Sequence, residues 1–148
     1  MPKCSWCGAD LIDHEPCQQR FERCMAMEFE NPATFGSVHH LTVTCYMLQH
    51  NAYTRHAWLE ARKMIAQFIQ EGIAPAELRM RNQTRLDGKQ RNWSVTRGAK
   101  LVEFNEIAWT RTIADICLDN PDIYCVGVKL WAASVFADTE ALIQKLGV

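Results

Sequence analysis

The chain has 148 residues and a mass of 17.0 kDa, with 48% hydrophobic residues, 22% charged residues and a formal net charge of −1. That is the size of one domain with one core, and the proportions exclude a disordered, collagen-like or coiled-coil chain. A charge so close to zero supplies no overall field toward nucleic acid or an anionic membrane, so either partner would need a local patch.

Met1-Pro2-Lys3-Cys4 lacks the basic and apolar runs of a secretory signal, and no stretch of about 18 apolar residues occurs, so a cytoplasmic protein without a membrane span is expected. Residues 1–16 are poor in large apolar side chains and carry Gly8, Asp10, Asp13 and Pro16, which reads as a loop-rich arm. From Cys17 to Glu30, Phe21, Cys24, Met25 and Glu28 recur at helical spacing, giving helix A. Asn31 to Gly36 breaks it with proline and glycine, and Ser37 is placed to cap helix B over about Val38 to His50. Helix C follows Asn51, with Ala57, Trp58, Ala61, Ile65, Phe68 and Ile69 on one face and a stop at Gly72. Pro75 suits the first turn of a short helix through Arg81. Residues 82–100 read as a polar, basic loop with some extended chain around Trp93-Ser94-Val95-Thr96. Trp109 to Ile113 alternates and could be a short strand, although Ile107 to Leu118 could equally be helical. Asn120-Pro121-Asp122 starts a last helix to about Ala137, where Asp138 or Thr139 could restart a turn ending at Leu146-Gly147. The expected architecture is mainly α, a single-domain helical bundle built on an αα-hairpin, with at most one short strand or hairpin.

Seven cysteines are an odd number, poorly explained by disulfides in a reducing compartment. Cys45, Cys117 and Cys125 lie among apolar neighbours and read as small core hydrophobes. Cys4-Ser5-Trp6-Cys7-Gly8 is different. Two thiolates separated by two residues can point into one tetrahedral site, and thiolate pairs favour zinc. A redox pair shares the spacing but normally sits between a strand and a helix, and nothing before Cys4 is long enough to be a strand.

A closed zinc site needs two more ligands, from His14, Cys17, Cys24, His39, His40 and His50. If helices A and B fold back on one another, the start of A meets the end of B. Cys17 then lies beside His50, and Glu28 beside His39. Cys17 at a helix N-terminus is also favoured as a thiolate. His39 and His50 share a direction on helix B but stand about 16 Å apart along its axis, so they cannot hold one ion. The expected set is Cys4, Cys7, Cys17 and His50, with His14 as the substitute ligand. Four protein ligands make the zinc structural; three would leave a position for water and metal-assisted hydrolysis.

Cys4-x-x-Cys7-Gly8, Cys17, Glu28 and the run from Val38-His39-His40-Leu41 to Gln49-His50 resemble a family of uncharacterised bacterial proteins known as a domain of unknown function. Trp109 to Ile116 and Val128 to Ala132 are similar to it as well. Ser5 stands where that family has proline, Asn51 where it tends to proline, and Thr44 where it has aspartate. The resemblance implies the fold and the metal, and no activity.

Glu28 and His39, with Tyr46 two turns along the same face, form a candidate catalytic cluster, since a carboxylate beside an imidazole raises its basicity. The same pair also makes a routine structural tie. His40 and His56 read as surface residues. Between Glu77 and Lys100 seven basic residues face two acidic ones, a local net charge of +5. With Trp93 this could contact phosphate or stack on bases, but the interleaved polar residues carry no nucleic-acid motif and favour a solvated loop. These signals favour a non-catalytic zinc protein acting as an interaction or ligand-binding module for an unknown protein or small molecule. A metal-assisted hydrolase is the alternative, and nucleic-acid binding through Arg79 to Lys100 the third. Trp and Met suffice for a homodimer interface but could equally fill the core.

Overall fold

A computed structural model describes residues 3–74, 77 and 95–148. Among the described residues there are five α-helices: α1 (Cys17–Glu30), α2 (Pro32–Phe35), α3 (His39–Gln49), α4 (Arg55–Glu71) and α5 (Pro121–Leu146). The protein is mainly helical, as its apolar periodicities predict. No strand occurs among the described residues; one isolated antiparallel bridge joins Thr54 to Lys100. Apart from Glu77, the short helix expected after Pro75 lies outside the described residues, as does the basic segment up to residue 94. Of the stretch expected to be extended there, Val95 and Thr96 are helical instead.

Helix α1 has the predicted bounds, entered from Pro16 and ended before Pro32. Ser37 does not cap the next long helix. Asn31 instead accepts from the Thr34 amide at 3.3 Å and opens the one-turn α2, while α3 begins at His39 after Val38 with no side-chain cap. Helix α4 is capped at its start by Thr54, whose hydroxyl accepts from the Ala57 amide, and at its end by Gly72 with φ +70, the left-handed conformation that glycine adopts without steric cost.

The alternation at Trp109 to Ile113 produces no strand. The segment is irregular and closes in a 3-10 turn over Ile113–Asp115, where Thr112 and Asp115 cap one another reciprocally. The restart expected at Asp138 or Thr139 is also absent, for α5 runs unbroken to Leu146. Thr139 is fully buried on its inner face and its hydroxyl donates to the Val135 carbonyl at 2.7 Å, so this polar residue sits within the helix rather than at its end.

Helix α5 packs across α3 and α4, and Trp58, Trp131, Tyr124, Leu41, Leu48 and Ile65 fill the space between them. Buried polar groups there are paired, as a low dielectric demands. Gln49 donates to the Arg111 carbonyl at 2.7 Å and accepts from Trp131 Nε1 at 3.1 Å. Arg62 donates to Thr139 Oγ1 at 3.0 Å, the Phe136 carbonyl at 3.1 Å and Glu140 at 2.6 Å. No helix among the described residues is long and apolar enough to cross a membrane.

Candidate metal centre

The first two donors come from a tight turn. The Gly8 amide donates to the Cys4 carbonyl at 2.9 Å and the Cys4 amide to the Ala9 carbonyl at 2.8 Å, with Gly8 at φ +81. This folds Cys4 and Cys7 toward one point and buries Cys7. Cys17, the first residue of α1, and His50, immediately after α3, supply the other two, because the reversal through α2 returns the end of α3 to the start of α1.

Cys7 Sγ lies 3.7 Å from Cys17 Sγ, and Cys4 Sγ lies 3.7 Å from His50 Nε2. All four donor atoms fall within 4.8 Å of one another. These residues could hold a metal ion. The imidazole is already oriented: Nδ1 donates to the Tyr46 carbonyl at 2.8 Å, which leaves the Nε2 lone pair facing the sulfurs. The Tyr46 ring stacks on His50 at 4.1 Å and on Phe21 at 4.0 Å, so the ligand is wedged as well as hydrogen-bonded. The Cys7 thiol is pushed up to about 12, first by the shared proton with Cys17 and then by burial; a cation would take that proton's place.

His14 is exposed, has φ +58, and stands outside the group. Cys24 and Cys45 are fully buried in the core, and Cys117 and Cys125 are half-buried.

Glu28 and His39 meet at the opposite end of the hairpin. The carboxylate is 3% exposed and accepts from His39 Nδ1 at 2.7 Å. Its other oxygen accepts from Tyr124 of α5. Burial, with Cys24 and Glu28 nearby, keeps that phenol protonated far above its usual range. Tyr46 does not join this cluster, since two helical turns carry it to His50. Tyr124 takes the role instead, from a position 96 residues along the chain, where no periodicity within α1 or α3 could signal it. His40 is half-buried with its ring 5.4 Å from His39, rather than a bare surface residue, whereas His56 is exposed.

No sequence motif signals a cleft of about 560 Å³ beside the cysteine turn, bounded on one side by Lys3 to Asp10 and on the other by Ile107 to Asp115. Trp6 stands over it in edge contact with Phe104, whose ring lies 6.0 Å from that of Trp109.

A model of a family of unknown function, DUF5946, matches residues 2–140. The chain belongs to this family. The matched stretch takes in the cysteine turn, both arms of the hairpin and α5 as far as Glu140, so all four clustered donors and the Glu28–His39–Tyr124 triad lie within it. No curated protein and no solved structure matches the chain.

Proposed function

We propose that Cys4, Cys7, Cys17 and His50 bind one zinc ion and that this ion is structural. The convergence of the four donor atoms carries the reading. Three soft thiolates and an imidazole are a set that zinc accepts, and tetrahedral zinc with Zn–S near 2.3 Å requires sulfurs about 3.8 Å apart, close to the 3.7 Å between Cys7 and Cys17. Four protein ligands close the coordination shell and leave no place for a reacting water.

The ion would staple the arm of residues 3–16 to the hairpin and thereby fix one wall of the cleft beside the cysteine turn. We assign the protein a non-catalytic role as an interaction or ligand-binding module in a reducing compartment, with that cleft as its contact face for a protein segment or small molecule. Zinc removal by chelation tests this: the apoprotein is expected to lose thermal stability and the ordered arm together. An apoprotein with the stability of the metal-loaded form would contradict a structural ion.

A further inference from the structure

Helix α5 is apolar on more than its buried side. Ile123, Val126 and Leu130 are 56%, 58% and 46% exposed and recur at the i, i+3, i+7 spacing of one helical stripe. Beside them a groove of about 360 Å³ runs to Arg111 and Cys117. Asp122 and Lys129 are exposed on the same helix.

The charges have a particular register. At 100° per residue, Asp122 and Lys129 fall about 40–60° to one side of Val126, and Ile123 and Leu130 about 40–60° to the other. Asp122 lies about 6 Å before Val126 along the axis and Lys129 about 4.5 Å after it. A two-fold axis through Val126, perpendicular to α5 and in the plane of contact, keeps each side of the stripe on its own side and reverses its direction. Under that operation Asp122 of one copy meets Lys129 of the other, twice, and Ile123 meets Leu130, twice. A two-fold axis parallel to α5 would instead exchange the sides, setting Asp122 against Ile123 and Lys129 against Leu130. The stripe is thus complementary to itself in the antiparallel orientation, which is the condition for an isologous contact.

We propose that this face of α5 binds a second copy of the chain as an antiparallel, two-fold symmetric dimer centred on Val126. This contact does not depend on the metal. Because the stripe is short by the standard of permanent interfaces, the dimer is a concentration-dependent one.

Sedimentation of the full chain across a concentration series tests the contact. Wild type is expected to shift from monomer to dimer, and Val126→Glu, a change at an exposed position, to remain monomeric. Asp122→Lys and Lys129→Asp should each weaken association by about tenfold or more, since two attractive pairs become two repulsive ones. Mixing these two single variants should restore it, because one partner then carries lysine at both positions and the other aspartate at both, so each contact across the hetero-pair is again between opposite charges. Circular dichroism confirms that each variant is folded. A wild type that stays monomeric throughout, a Val126→Glu protein that still dimerises, or folded variants whose mixture associates no better than either alone would overturn the proposal.

Discussion

His50 donates from Nδ1 to the Tyr46 carbonyl at 2.8 Å, and this single bond leaves Nε2 toward Cys4 Sγ at 3.7 Å. The backbone of α3 therefore fixes both the tautomer and the ring plane of this imidazole, the orientation a metal ion there would require. His39, at the other end of the same helix, is committed to Glu28. His50→Ala is expected to abolish or greatly weaken metal binding, and His39→Ala to keep one ion per chain, with elemental analysis of both variants as the check.

Glu28 joins three helices through His39 and Tyr124. Removing the carboxylate leaves the buried Tyr124 hydroxyl without its acceptor. Glu28→Ala should lower unfolding free energy by about 2–3 kcal/mol, read by denaturant titration, with metal content unchanged. A loss of metal would mean that the two ends of the hairpin are not independent.

How far the sequence reaches is clearest on this hairpin. Proline and asparagine at the turn set the bounds of α1, and folding α3 back against it pairs Cys17 with His50 and Glu28 with His39 by position alone. Tyr46 goes astray because angular alignment on a helix is not proximity: seven residues restore the direction but add about 10 Å of rise. Tyr124 and the cleft beside the cysteine turn depend on contacts between distant segments, which local periodicity does not encode. Thr139 resembles a helix start because its usual role is capping; its burial against Arg62 overrides that preference.

The Arg62–Thr139 pair gives its own prediction. Thr139→Val keeps the shape but removes the acceptor of Arg62 Nε, now 3.0 Å from Oγ1. Because Arg62 still reaches Glu140 and the Phe136 carbonyl, the expected cost is about 1–2 kcal/mol, seen as a lowered midpoint in thermal unfolding without loss of helix content.

Stability should fall in alkali. Burial raises the Cys45 thiol and the Tyr124 phenol above their ordinary values of 9.0 and 10.0, and pushes Tyr53 up to about 12. In each case the folded state keeps a proton that the unfolded chain gives up. The contribution is whole below the ordinary value and lost as pH rises toward the folded one, at up to about 1.4 kcal/mol per pH unit for each fully buried group. Denaturant midpoints measured from about pH 8 to about pH 11.5 should decline, most steeply above about 10, where the tyrosines join the thiol; a flat profile would contradict the burial of these groups.

The most direct test of the account is metal content measured together with the count of protected thiols on reduced, purified protein. One zinc per chain with Cys4, Cys7 and Cys17 shielded from a thiol reagent in addition to the buried Cys24 and Cys45, and all seven reactive after chelation and unfolding, is the predicted result. Protein that retains no metal, or that holds it with Cys17 freely reactive, would contradict the closed site at Cys4, Cys7, Cys17 and His50.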